Sequence, residues 1–347
     1  MNSSELKERE KSILRYVIHQ FILTANPVGS RNLSKKFGIG YSPATIRNIM
    51  SDLEDSGLLG HPHTSAGRIP TDLGYRYYVN SLMDSPKLNP SEVDFIESQL
   101  EQLTFDTNEI LKVTSSILSS LTNQLAYVSY PKFGNAVLEK LRLVEVSSSR
   151  ILVVITINSG MIRTITLEIE SGFERKSLKT IERLLNERLS GLTFSEIRDT
   201  IKERIKSVSS SEFKPVIRVF LDSVPEIFTD VRSNEDSIIT GTKNLLTQPE
   251  FIDHKKLSSI IELIEDKDII IHFMDENVIK NSGEISITIG SESKEEKLND
   301  YSIIIKEYNI GQVAGSIGII GPKRMRYSHT IAAVVEMAEV LSKIFNK

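Results

Sequence analysis

From Glu5 to Leu23 the apolar residues Leu6, Ile13, Leu14, Val17, Ile18 and Phe21 recur at helical spacing, with Lys and Arg between them. That period predicts a first helix, which Asn26-Pro27 ends. A short second helix is predicted from Arg31 to Phe37, with Ser30 as its N-cap. The turn Gly38 to Tyr41 then leads to a third helix, capped by Ser42 and opened by Pro43 at the position proline favours. Ile46, Ile49, Met50 and Leu53 share one face of it, and it is expected to end at Gly57. Helix, short helix, glycine turn, helix is the order of a helix-turn-helix. The following stretch, "GLLGHPHTSAGRIPT" (57–71), reads as two short extended pieces around a Ser-Ala-Gly turn, a wing.

Tyr75, Tyr77 and Tyr78 begin an amphipathic stretch that runs to Met83 and reads as a packing seam. "DSPKLNPSE" (84–92) is a polar linker. Ser91 to Leu125 has helical spacing. The period then drops to two in "LAYVSYP" (125–131) and "LRLVEVSSSRILVVITINSGMIRTITLEIE" (141–170), which predicts an antiparallel meander with turns at Ser147–Ser149 and Asn158–Gly160. Helices follow at Leu178–Leu189, Phe194–Ser207 and Val216–Phe228. Strands return at Gly283–Ile289, Tyr301–Tyr308 and Gly311–Ile320, and a last helix covers Ser328–Phe345. A sheet interrupted by helices and then resumed points to an insertion. The expected domains are 1–80, a linker 81–90, a sheet domain in two parts (91–171 and 238–347), and an inserted, mostly helical block 172–237.

Composition changes this picture little. With 347 residues, 39% hydrophobic and 25% charged, the chain has room for two or three globular domains. No apolar run approaches the ~20 residues of a membrane span, and the polar start is unlike a secretory signal, so no membrane partner is expected. Zero cysteines exclude disulfides, thiol catalysis and zinc-thiolate sites, and fit a cytoplasmic setting. Charge is more telling. Residues 1–80 carry ten Lys/Arg against seven Asp/Glu, the remainder 32 against 39, so a polyanion should meet the N-terminal part.

The third helix offers Ser42, Thr45, Arg47 and Asn48 at its start. Arginine pairs bidentately with guanine and asparagine with adenine, and N–H groups at a helix start favour phosphate. In the wing, Gly67 permits close approach to a sugar-phosphate chain and Arg68 is expected to stand out beyond the turn. Arg31, His61, His63, Thr64 and Ser65 complete the expected DNA-contacting set. A metal reading of His61-Pro62-His63 has two ligands and nothing nearby to complete a tetrahedron. The glycines 311, 315, 318 and 321 lack the spacing of a nucleotide loop and read as a buried strand. Lys323 to Arg326, "KRMR", reads as a solvated basic turn, and His19, His254, His272 and His329 as scattered and without partners. No catalytic, metal or cofactor motif is recognised.

"SPATIRNIMSDLEDSGLLGHPHTSAGRIPTDLGYRYYVN" (42–80), with "GTKNLLTQPEF" (241–251) and "GSIGIIGPKRMRYSHTIAAV" (315–334), resembles the HrcA-type heat-inducible transcription repressors. One departure is Ile49, where that family often has an acidic residue. The resemblance implies an α+β multidomain chain: an N-terminal winged helix-turn-helix, then a GAF-like α/β sensor domain with an inserted, mostly helical dimerisation domain. It also implies a homodimer on a CIRCE-type inverted-repeat operator upstream of dnaK- and groE-type chaperone operons, modulated by the chaperonin GroEL and inactivated on heat stress. A two-fold dimer calls for such an inverted repeat. Two other readings stay open, a regulator answering to a small molecule and an enzyme.

Overall fold

The computed structural model describes residues 6–38, 40–62, 67–101, 107–158, 162–169, 175–206, 214–228, 237–280, 283–311 and 313–346. Helix α1 spans Glu8–Thr24 and starts where Glu10 accepts the Lys7 N–H at 2.9 Å. Helix α2 is Ser30–Phe37. Its N-cap is Gly29, whose carbonyl accepts from Asn32 and Leu33, so Ser30 lies inside the first turn and caps nothing. Helix α3 is Pro43–Asp55, and here Ser42 is the cap: its Oγ accepts the Thr45 N–H at 3.1 Å. It ends two residues before Gly57, whose φ of 73° reverses the chain. Ile13, Leu14, Val17, Ile18, Leu33, Ile46, Ile49, Met50 and Leu53 are buried between these helices.

Strands β1 (Leu59–Gly60) and β2 (Ile69–Pro70) pair antiparallel, and Val28 and Arg68 exchange two backbone hydrogen bonds at the hairpin's far side. Helix α4, Asp72–Tyr77, is capped by Thr71 and runs into a π-helical turn at Tyr78–Leu82. Next come α5 (Pro90–Glu101), α6 (Thr107–Thr122), β3 (Leu125–Ser129), β4 (Leu138–Ser147), β5 (Arg150–Ile157) and β6 (Ile162–Glu168). Helices α7 (Arg175–Leu189), α8 (Phe194–Ile205), α9 (Lys214–Asp222) and α10 (Val224–Phe228) follow. After β7 (Ser237–Thr240) come α11 (Thr242–Leu246), α12 (His254–Glu265) and α13 (Lys267–Lys280), three helices the sequence pattern did not predict. The chain closes with β8 (Ser286–Ile289), β9 (Tyr301–Ile310), β10 (Val313–Pro322) and α14 (Tyr327–Phe345).

The chain forms two compact units. The first holds the residues up to Val128 with Ile239–Glu307 and Ser316–Val340. The second holds Ser129–Ile238, Tyr308–Gly315 and the residues from Leu341 on. In the first unit lies the core of a five-stranded sheet of order β7-β3-β10-β9-β8. Strand β3 therefore does not join the meander, as the sequence suggested; it runs antiparallel to β10, with Leu125 opposite Ile320. Every residue of β3 is buried, as a central strand requires. Leu125, Tyr127, Ile303, Ile305 and Ile320 pack against Leu245, Phe251, Ile260, Leu263 and Met274 of the neighbouring helical segments. The glycine-rich stretch is buried strand: a Cβ on Gly318 would lie 2.4 Å from the Ile304 carbonyl oxygen.

In the second unit β4, β5 and β6 form the predicted antiparallel meander. Helix α7 covers its edge strand through side chains: Asn186 accepts from Leu141 N–H and donates back to its carbonyl, and Glu182 accepts from Leu143 N–H. Phe194, Phe220 and Phe228 meet edge to face beneath. Val144, Val146 and Ile162 stay exposed on the strands. Among the described residues no helix is long and apolar enough to cross a membrane.

Candidate nucleic-acid interface

Helix α3 buries Ile46, Ile49, Met50 and Leu53 and turns Ala44, Thr45, Arg47, Asn48 and Ser51 to the surface. Ile49, the departure from the family pattern, is 3% exposed and extends the buried face. Arg47 and Asn48 are exposed, and among the described residues neither is held by another group. Ser42 and Thr45 are exposed but their hydroxyls lie 3.0 Å apart, occupied in part with each other and with the cap. Arg31 is exposed on α2. The structure thus presents Ser42, Thr45, Arg47, Asn48 and Arg31 outward. His63, Thr64 and Ser65 lie outside the described residues.

The β1–β2 hairpin departs from expectation at two residues. Arg68 does not stand out beyond the turn. Its Nη2 lies 2.6 Å from Glu54 Oε2, and its side chain is 26% exposed. Its Nε is buried with no acceptor among the described residues. His61 Nδ1 meets the other Glu54 oxygen, so one carboxylate on α3 binds both hairpin residues that flank the turn. Gly67 is required for a different approach than the one expected: a Cβ there would lie 2.6 Å from the Val28 carbonyl carbon and oxygen. The glycine lets the hairpin close on the α1–α2 connection. Glu54 was missed because an acid near a helix end reads as solvated.

The basic turn at Lys323 to Arg326 is not merely solvated. Lys323 Nζ lies 2.7 Å from Asp72 Oδ1, and the Ser291 N–H donates to Asp72 Oδ2 at 2.9 Å. Burial raises the Asp72 carboxyl, but Lys323 and Ser291 outweigh it and hold the group below its ordinary value. Gly290, at φ +52°, has no room for a Cβ, which would fall 2.3 Å from Asp72 Oδ2. Arg76 donates from Nε to Glu292 at 2.7 Å and from Nη2 to the Ile287 carbonyl at 2.6 Å. Arg324 bonds Glu250 and the Ile22 carbonyl. Tyr75 packs on Tyr327, centroids 5.8 Å apart, so the tyrosine seam is a packing surface. His329, read as lone, has Glu92 at 3.0 Å. These contacts fix the three-helix segment and hairpin to the sheet within the first unit.

Comparison with known proteins shows the family. The family model described as "HrcA protein C terminal domain" matches residues 108–331. The chain is 36% identical to "Heat-inducible transcription repressor HrcA" of Chlorobium phaeobacteroides (strain BS1), over 97% of this chain and 98% of that one. It is 38% identical to the protein of the same description from Chlorobium limicola, over 99% and 98%. A crystal structure of a hypothetical protein shares the fold, with a TM-score of 0.63 at 23% identity over 99% of both chains. The two Chlorobium relatives define a class of transcription repressors. The chain belongs to the HrcA family of heat-inducible transcription repressors.

Proposed function

We propose that the segment 1–80 is a winged helix-turn-helix and that α3 is its recognition helix, reading base edges in the major groove through Arg47 and Asn48. The observation that carries this is the exposure of those two side chains, opposite a fully buried apolar face, at the proline-opened start of α3. Ser42, Thr45 and the helix start meet phosphate, Arg31 does so from α2, and His61, His63, Thr64, Ser65, Gly67 and Arg68 form the wing's side of the contact.

The chain acts as a homodimer on an inverted-repeat operator. The exposed valines and isoleucine on the meander, Val144, Val146 and Ile162, are 45%, 59% and 66% exposed. The resemblance assigns the 172–237 region to dimerisation, and these exposed apolar residues on the neighbouring meander offer a further contact surface for a second copy. The sheet domain is GAF-like. The resemblance supports a CIRCE-type operator at dnaK- and groE-type chaperone operons and GroEL as the modulating partner, with repression lost on heat stress.

The test is a footprint of the purified full chain on the promoter of its own operon, with and without chaperonin, before and after heat stress. Protection of a palindrome that falls with heat and is restored by chaperonin is expected. Equal protection of palindrome and random DNA overturns the reading.

A second reading, repression set by a small molecule, is favoured by one observation. A polar cavity of about 260 Å³ in the first unit is lined by Leu23, Asn123, Gln124, Gln248, Arg326 and His329, among others. A change of operator affinity with a metabolite library rather than with heat and chaperonin supports it instead.

A further inference from the structure

Gly60 opposite Ile69 is the hairpin's last described rung, and His61 follows the one while Arg68 precedes the other. Both reach the same carboxylate on α3: Glu54 holds Arg68 with one oxygen and His61 with the other. The carboxylate is 22% exposed and the arginine side chain 26%, so this pair is screened from water more than a surface ion pair. Arginine has five N–H donors in a fixed fork. The structure engages Nη2 with Glu54, while Nε is buried without an acceptor among the described residues. The wing arginine is therefore held in place with donor capacity left over and with its charge matched.

We propose that Glu54 is a specificity-determining positioning residue of the DNA interface. This rests on the reading of α3 and the hairpin as the DNA-binding surface. Glu54 touches no DNA. It fixes the wing against the recognition helix, and it neutralises Arg68 so that the wing adds little sequence-blind attraction to phosphate. A phosphate approaching Arg68 competes with a resident carboxylate. Random DNA, which offers phosphates in no fixed register with the α3 contacts, loses that competition more than the operator does. The resident pair thereby widens the gap between specific and non-specific binding.

The experiment measures binding of the full chain to an operator duplex and to a random duplex across a salt series, for wild type, Glu54→Gln and Glu54→Gln with Arg68→Gln. Freeing one cation in Glu54→Gln should raise affinity for random DNA several-fold. It should also steepen the slope of log K against log salt by about 0.9, one phosphate's worth, and lower the operator-to-random ratio. The charge-balanced double variant should return the slope to the wild-type value while the ratio stays low. A role confined to supporting the fold leaves the slope unchanged and weakens both duplexes together, and that result overturns the proposal while leaving the DNA reading intact. If Glu54→Gln does not fold, Glu54→Asp carries the test: charge is kept and reach is lost, so the ratio should fall at constant slope, and an unchanged ratio overturns the proposal. A wild-type protein that binds neither duplex defeats both.

Discussion

Arg324 donates from Nη1 to the main-chain oxygen of Ile22 at 2.6 Å, so a side chain from the end of β10 closes the last turn of α1. The same guanidinium lies against Glu250, with Nη2 3.0 Å from Oε2. Both side chains are partly buried, at 14% and 19% exposure.

Arg324→Ala should cost about 2 kcal/mol, because it strands a partly buried carboxylate and a helix-end carbonyl at once. Denaturant unfolding reads the loss. Hydrogen exchange should quicken first at the end of α1, and a uniform quickening across the chain would argue against a local role.

Asp72 makes the attachment acid-sensitive. Its folded pKa is depressed by Lys323 and Ser291 against the opposing effect of burial. Its contribution is then fully present above the unfolded value of about 3.9 and is lost as pH falls through the lower folded value. In thermal melts from pH 7 to 3, the gap between wild type and Asp72→Asn should hold steady down to about pH 4 and close below it. A gap that widens on acidification contradicts this account.

Tyr75 carries a buried hydroxyl with no hydrogen-bond partner among the described residues, and burial raises its pKa well above the ordinary value. Tyr75→Phe should therefore be neutral or more stable by up to about 1 kcal/mol. Tyr75→Ala, which empties the space against Tyr327, should cost about 3–5 kcal/mol. Denaturation midpoints of the two variants decide it, and a destabilised phenylalanine variant would mean the hydroxyl has a partner.

Arg47→Ala and Asn48→Ala should each cost about 1–3 kcal/mol of operator binding and relax base preference, with random DNA little affected. Competition between operator and random duplex measures this. Intact discrimination in Arg47→Ala would show that α3 does not enter the groove in the proposed orientation.

The local elements were legible where one period dominates. The 3.6-residue spacing located α1, α2 and α3, and strict alternation located β4 to β6. Helix α13 was not legible, because Ile269, Ile270 and Ile271 run consecutively and no clean stripe separates apolar from polar. Helix α12, by contrast, carries a helical stripe at Leu257, Ile260, Ile261 and Ile264 and was missed all the same. Partnerships distant in sequence were also hidden. Nothing local tells β3 that it pairs with β10, or Arg324 that it belongs to Ile22. At the candidate site, the outward residues of α3 could be read from its period. The inward turn of Arg68 could not, since Glu54 meets it only once the hairpin folds back. Gly67 was recognised as a tight point, but the backbone it accommodates is Val28 of the same chain.

The attachment of the first helices has a temporal side. Emerging from a ribosome, the residues to Tyr77 can wind and cluster early, yet Ser291, Glu292, Lys323 and Arg324, which grip them, are made long afterwards. Strand β3 likewise waits for β10, which is made long after it. For that interval the nascent repressor shows apolar helix faces and an unpaired strand, the state in which a newborn chain most depends on folding helpers.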